Sequence, residues 1–229
     1  MTKLKRIYLT IFFVLQACVF LPIVFGVGDV SLVAYSAILL CFATSIILLQ
    51  KNIHSVLQFV ALLFTACADY LLILKGGANK DLAMCFFVVT QLAYGLRTLY
   101  MAKSKKEFDI NIATRIVLCL SLVAGSLFVV DDTPAFVWLS MIYFANLVTN
   151  VIFALYHFKQ NKLLALGLLL FICCDVFVGL AEMPALFGWS EQHFVSKLMS
   201  VPFSIHSIFY HPSQVLLCIS AKNNQKISG

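Results

Sequence analysis

Charged residues are scarce in this sequence. Only 11% of its 229 residues are charged, whereas 62% are hydrophobic. A soluble globular domain has about 25% charged residues, so that class is excluded. Strands with alternating polar and apolar residues are also missing, which excludes a transmembrane barrel. A multi-span helical membrane protein is the class that fits, because backbone in lipid must satisfy its own hydrogen bonds.

The short motifs of well-known enzyme classes are absent as well. The sequence contains no Gly-x-Ser-x-Gly elbow, no His-Glu-x-x-His pair, no Walker loop and no dinucleotide fingerprint. Nucleophilic serine chemistry therefore has no support. The net charge of +6 needs no nucleic-acid partner, because the excess falls in loops on one side of the membrane.

Metal-binding patterns are also lacking. All eight cysteines lie within apolar runs, and we interpret them as reduced, buried, structural side chains. His206 and His211 are five residues apart, which is too far round a helix for an i, i+4 metal pair. We predict neither a metal nor an organic cofactor.

What the sequence does contain is a series of long apolar runs. A span needs about 20 apolar residues, and eight runs meet this length: 7–26, 31–49, 55–74, 81–102, 112–130, 135–157, 163–187 and 197–220. The first continues through residues 21–25 with no small-residue cleavage site, so we interpret it as a retained span. The connections are too short for a soluble domain. We predict an all-α, eight-span helical bundle that forms a single domain over residues 1–229.

The basic residues predict its orientation. Three of them fall on one side, Lys75, Lys80 and Lys197, and twelve on the other: Lys3, Lys5, Arg6, Lys51, Lys103, Lys105, Lys106, Arg115, Lys159, Lys162, Lys222 and Lys226. By the positive-inside rule both termini are then cytoplasmic. We expect a multi-pass integral membrane protein, in the cell membrane if the source is bacterial. The oligomeric state has no signal in the sequence.

Two acidic residues stand inside these apolar runs. Asp69 lies in span three and Asp175 in span seven, about 21 Å and about 18 Å from the cytoplasmic ends of their spans. An acid inside the membrane is a functional-site candidate by default, because leaving it in hydrocarbon costs several kcal/mol. The other interpretation is that both acids only form hydrogen bonds between helices.

Polar residues of two further spans share the depth of the acids. In span four, Gln91, Tyr94 and Arg97 are spaced i, i+3, i+6 and share a face. In span eight, His206, Tyr210 and Gln214 are spaced i, i+4, i+8 and also share a face. Because lipid penalises each of them, we predict that they line one internal cavity with the acids. Arg97 could instead extend to the cytoplasmic headgroups.

Two carboxyl groups in a cavity of low dielectric suit acid–base chemistry. One can stay protonated near pH 7 as a proton donor, while the other stays ionised as a base or as a stabiliser of a cation. Such a pair can cleave an acetal- or enol-ether-like C–O bond. The competing class is a proton-coupled transporter of small molecules or lipids with Asp69 and Asp175 as its proton relay. A third class is a receptor or a purely structural bundle.

Several segments resemble a known family, the YhhN-type lysoplasmalogenases. Asp69-Tyr70-Leu71-Leu72 and Phe86…Gln91-Leu92-Ala93-Tyr94 are similar to its Gly-Asp-x-x-Leu and Phe…His-x-x-Tyr patterns. Gly167…Phe171-Ile172-Cys173-Cys174-Asp175 resembles Gly…Phe-x-x-Ser-Asp, and Tyr210…Gln214-Val215-Leu216 resembles Tyr-x-x-x-Gln-x-Leu. The likeness extends from about residue 55 onward. Three positions depart from it: Ala68 replaces glycine, Gln91 replaces histidine and Cys174 replaces serine.

The resemblance implies hydrolysis of the vinyl ether bond of a lysoplasmalogen, a lysophospholipid, to a fatty aldehyde and a glycerophospho-alcohol. Asp175 would donate the proton and Asp69 would act as the base, although the reverse assignment stays open. Tyr94, Tyr210, Gln91 and Gln214 would hydrogen-bond water and glycerol oxygens. Arg97 would meet the phosphate if the headgroup faces the cytoplasm, and His206 is a further substrate-facing residue. The departure at Gln91 implies an altered substrate or reduced activity.

The basic asymmetry yields a first testable prediction. A topology reporter fused after Gly229 should report the cytoplasm, and one inserted within residues 131–134 should report the opposite side, because three predicted spans lie between the two reporters. Activity of the reporters in intact cells measures this. Two reporters on the same side would show that the span count is wrong.

Overall fold

The computed structural model describes residues 3–26, 30–77, 79–129, 134–190, 192–199 and 205–221, and all regular structure in this part of the chain is helical. The helices are α1 Lys3–Phe25, α2 Val30–Ile47, α3 Ile53–Asp69, α4 Lys80–Tyr100, α5 Lys105–Val129, α6 Ala135–Tyr156, α7 Lys162–Phe187, α8 Phe194–Met199 and α9 Ile205–Ser220. A π-helical segment, Tyr70–Leu74, continues α3. The predicted all-α class is confirmed.

Seven of these helices are long and apolar enough to cross a membrane, within the described residues. They are α1, α2, α3 with its π-helical continuation, α4, α5, α6 and α7. The eighth predicted span, 197–220, is divided between α8 and the 16-residue α9, and Pro202 between them lies outside the described residues. The count of eight and the membrane orientation therefore stay predictions.

Contacts between helix ends show how the chain returns. Tyr8 near the start of α1 shares a 2.8 Å hydrogen bond with Thr44 near the end of α2. The carbonyl of Ser220, the last residue of α9, accepts a 2.9 Å hydrogen bond from Asn161, just before α7. α1 therefore begins beside the end of α2, and α9 ends beside the start of α7.

The main core joins α3, α4, α6, α7 and α9, and Ile38 of α2 also belongs to it. Its fully buried members include Leu147 on α6, Leu164 and Leu168 on α7 and Leu217 on α9. By contrast α5 packs at the periphery, chiefly against α6. The five central helices carry most of the polar residues that the sequence predicts to face inward, so packing brings these residues into the interior of the bundle.

A glycine sets the separation of α7 and α9. A Cβ atom at Gly167 would lie 2.8 Å from Leu217 Cγ and 3.1 Å from the Leu217 backbone nitrogen. Backbone cannot move aside as a flexible side chain can. The absence of a side chain at Gly167 therefore permits the close approach of α9.

We predict that Gly167→Ala lowers the free energy of unfolding by about 1–3 kcal/mol, the usual result of overpacking a core. Gly179→Ala is the matched control on the same helix, because nothing lies within 4 Å of its added methyl group. Alanine is the better helix former, so the control should be neutral or stabilising by up to about 1 kcal/mol. Unfolding of detergent-purified variants measures both, and equal effects would contradict the close approach.

Candidate active site

Asp69 is the last residue of α3 and is almost fully buried, with 3% of its surface exposed. Its carboxylate accepts a 2.5 Å hydrogen bond from the Tyr210 hydroxyl on α9. The two residues are 141 positions apart in the chain. The first acid is therefore held by a partner from the far end of the sequence.

The backbone changes form directly after Asp69. The segment Tyr70–Leu74 is a π-helix, and the Lys75 amide donates to the Tyr70 carbonyl over five residues, at 3.1 Å. Such segments are rare and occur frequently at functional sites. Because a π turn holds more residues than an α turn, it changes which faces the residues after Asp69 occupy. No glycine or proline interrupts this stretch, so the sequence does not indicate the change.

Asp175, in the middle of α7, has the same kind of partner. Its carboxylate accepts a hydrogen bond from the Tyr143 hydroxyl on α6. Tyr143 is buried, whereas Asp175 is half-buried. Each acid is thus paired with one tyrosine that belongs to a different helix.

Aromatic contacts join the two acid–tyrosine pairs. The ring of Phe171, one turn before Asp175, lies 5.7 Å from that of Tyr210 and 6.5 Å from that of Tyr143. The structure therefore brings the two acids and their tyrosines into one cluster, which we call the acid cluster: Asp69, Tyr143, Asp175 and Tyr210.

Gln91 and Tyr94 are fully buried on α4, and their hydrogen bonds go to residues outside the acid cluster. The Gln91 side-chain oxygen and carbonyl each accept from Asn150 on α6, at 2.9 Å. The Tyr94 hydroxyl accepts from Gln58 on α3, at 3.3 Å. Gln91 Nε2 is buried and has no hydrogen-bond partner among the described residues.

Arg97 lies at the other end of the same polar region. Its Nη1 donates to Gln58 on α3 and, at 3.0 Å, to Ser220 on α9. Gln58 precedes Asp69 by 11 positions on α3, which corresponds to about 16 Å along the axis. Arg97 therefore forms a polar site of its own, separate from the acid cluster.

The predicted residues on α9 differ in their environment. Gln214 is fully buried, donates to Ser213 at 3.3 Å and has an oxygen without a partner in the described part of the chain. His206 lies in the first turn and is exposed. On α9, Tyr210 is hydrogen-bonded to an acid, Asp69.

Polar contacts between α3 and α4 lie between the two regions. One turn before Asp69 on α3, the Thr65 hydroxyl oxygen lies 3.4 Å from the Thr90 hydroxyl oxygen on α4. Nearer the start of α3, Gln58 contacts Tyr94 on α4. We call these contacts the α3–α4 seam. It extends the polar interior from the acid cluster to Arg97.

Sequence reasoning missed the polar face of α6. Tyr143, Asn146 and Asn150 are spaced i, i+3, i+7 and therefore share a face, a pattern as clear as those of spans four and eight. The sequence also predicts no role for Arg115 beyond that of a basic residue on the cytoplasmic side. It lies within α5, where its donors bind neutral acceptors of three helices: Thr98, Asn111, Asn146 and Asn150.

In the described ranges no group of three or more histidine, cysteine or carboxylate side chains could hold a metal ion. The chemical groups of the acid cluster are thus two carboxyls and two phenols, which can hold, donate and accept protons.

Comparison with known proteins gives one result. The model of the YhhN family matches residues 30–217, which includes every member of the acid cluster and all of α2 to α8. No curated protein and no solved structure matches the chain.

The acid–tyrosine pairs can be tested by double-mutant cycles. We predict a coupling of about 1 kcal/mol between Tyr210→Phe and Asp69→Leu in the free energy of unfolding, the size of a hydrogen bond inside a membrane protein. The crossed cycle of Tyr143→Phe with Asp69→Leu is the control and should give less than about 0.5 kcal/mol. Equal couplings in both cycles would contradict the pairing.

Proposed function

The chain belongs to the YhhN family, and we propose that it is a membrane-embedded hydrolase resembling lysoplasmalogenase. The substrate would be a lysophospholipid with a vinyl ether bond, cleaved to a fatty aldehyde and a glycerophospho-alcohol. The observation that supports this most is the acid cluster, because the Phe171 ring joins the Asp69–Tyr210 pair to the Asp175–Tyr143 pair in the interior of the bundle. Family membership implies the same chemistry.

The proposed reaction begins with a proton transfer to carbon. The protonated carboxyl, which we assign to Asp175, gives its proton to the carbon of the C=C bond that does not carry the ether oxygen. The C=C electrons form the new C–H bond, and an oxocarbenium ion results. The Asp69 carboxylate stabilises this cation and accepts a proton from the attacking water. In the last step protonated Asp69 gives its proton to the glycerol oxygen as the hemiacetal C–O bond breaks, and the hemiacetal hydroxyl gives its proton to the Asp175 carboxylate. Aldehyde and alcohol are released, and both acids return to their starting protonation states.

The two tyrosines would fix the geometry of this reaction. Each phenol donates to one carboxylate oxygen and so holds that carboxyl in one rotamer. Buried donors aimed at a carboxylate also stabilise its ionised form. Because each acid has one such partner, the tyrosines stabilise the ionised forms of both carboxyls alike and do not distinguish the proton donor from the base. The assignment of Asp175 as donor therefore rests on its predicted depth in the membrane.

Gln91 supports a mechanism that uses the carboxyls alone. The resemblance places a histidine at this position, and an amide cannot exchange protons near neutral pH as an imidazole can. The Gln91 oxygen is engaged by Asn150, while its free Nε2 can donate a hydrogen bond to water or to a glycerol oxygen. We therefore propose a binding role for Gln91 and no step in proton transfer.

The α3–α4 seam favours a second candidate, a proton-coupled transporter. Its hydroxyl and amide groups lie between Asp69 and Arg97, and acidic residues inside the membrane serve as proton relays in transporters. In that case the acids would change protonation state during transport without breaking a bond of the substrate.

We predict that Asp69→Asn and Asp175→Asn each lower the release of aldehyde from a vinyl-ether lysolipid by about 10²–10⁴-fold. Asparagine keeps the size and polarity of the side chain but can neither ionise nor act as an acid. The measurement is aldehyde formed per mole of monodisperse, detergent-purified protein. Asp109→Asn on α5 is the matched control, because Asp109 is exposed and its variant should keep full activity.

Two outcomes separate the alternatives. Activity within about threefold of wild type in both acid variants would reject the two-carboxyl mechanism, because an acid–base group contributes far more. Proton flux into sealed vesicles that is abolished by the same variants, without any aldehyde from the wild type, would support the transporter.

A further inference from the structure

Arg97 has an unusual set of hydrogen bonds. Its side chain is completely buried, and both contacts, to Gln58 and Ser220, use Nη1. Nε and Nη2 have no partner among the described residues. These two nitrogens form one edge of the guanidinium, with parallel N–H bonds that match two oxygens of a phosphate or carboxylate.

The charge of Arg97 also lacks a counter-ion in the described ranges. The ion pairs found there join Lys80 to Glu182 and His157 to Glu107. The neighbours that face Arg97 are instead the Gln58 amide, the Ser220 hydroxyl, the Tyr94 phenol and the His54 ring. A buried cation without a paired anion is strongly unfavourable, so this arrangement indicates an anion supplied from elsewhere.

Arg115 shows how the same chain satisfies a structural arginine. Its guanidinium lies against Gly95, where a Cβ atom would be 2.7 Å from Nη1. Nε, Nη1 and Nη2 all donate to neutral oxygens of α4, α5 and α6. The free edge of Arg97 is therefore not a general property of buried arginines in this bundle.

We propose that the Nε–Nη2 edge of Arg97 is a binding site for a phosphate group. The site is shallow, because Arg97 precedes the end of α4 by three residues, about 5 Å, and Ser220 is the last residue of α9. The neighbouring connections carry Lys51, Lys103 and Lys159, which raise the local concentration of anions. The phosphate comes from a lipid headgroup or from solution.

This site is distinct from the acid cluster. The separation of about 16 Å along α3 is much longer than the three-carbon glycerol unit that joins the ether oxygen of a lysolipid to its phosphate. A lipid whose vinyl ether lies between the acids therefore does not place its phosphate on Arg97. The phosphate site stands whether or not the chain hydrolyses vinyl ethers.

The test measures thermal unfolding with two probes. In detergent, the wild type is titrated with inorganic phosphate against sodium chloride of equal ionic strength. In nanodiscs, a bilayer of a phosphate-free galactolipid is compared with one that also contains phosphatidylglycerol. A molecule that binds only the folded state raises the unfolding temperature. Stabilisation by phosphate in detergent indicates a soluble ligand, and stabilisation only by phosphatidylglycerol indicates a lipid headgroup.

Three variants identify the site. Arg97→Met should abolish the response to the effective probe, and Arg97→Lys should weaken the apparent affinity at least about tenfold, because it keeps the charge but loses the paired donors. Arg115→Met is the matched control: it should lower the unfolding temperature and keep the response. Arg97→Met should be no less stable than wild type without a probe, since it removes an unpaired buried charge.

Two results would overturn the proposal. One is a wild type that responds to neither probe. The other is an Arg97→Lys variant that responds with the affinity of the wild type, which would place the phosphate on the surface lysines. If Arg97→Met does not fold, Arg97→Lys still tests the proposal: a weaker apparent affinity supports it, and the affinity of the wild type overturns it.

Discussion

The structure depends on one constraint, which is the penalty for a polar group left without a partner in hydrocarbon. The bundle meets it by pairing side chains across helices. Asp69 is bonded to Tyr210, Asp175 to Tyr143, and Arg115 to acceptors on three helices. Each pair also fixes the relative position of the two helices that supply it. The polar residues therefore act as the specific contacts of a core that is otherwise uniformly apolar.

Close packing places these pairs. The approach of α9 to α7 over Gly167 brings Tyr210 within contact of Phe171, and Phe171 in turn touches Tyr143. The two acid–tyrosine pairs are thus held by the same aromatic ring. Any chemistry at the acids depends on this contact, because the carboxyls come from α3 and α7, which meet through α9.

The two ends of the polar interior have opposite character. The acid cluster contains anions or their protonated forms with hydrogen-bond donors aimed at them, whereas Arg97 is a cation with two donors unused. The α3–α4 seam lies between them. A single molecule that uses both ends must carry a proton-accepting part and an anionic part about 16 Å apart, which is farther than the glycerol unit of a lysolipid reaches.

The sequence alone determined the helical membrane class, because charge and apolar run length decide it before any packing is known. It also identified Asp69, Asp175 and Tyr210, since each is a polar residue in an apolar span. It could not identify Tyr143 as the partner of Asp175, the π-helical turn after Asp69, or the separation of Arg97 from the acids. These depend on how helices distant in the chain rotate and approach each other, and local spacing gives only the face of each helix. Tertiary packing decided which faces meet.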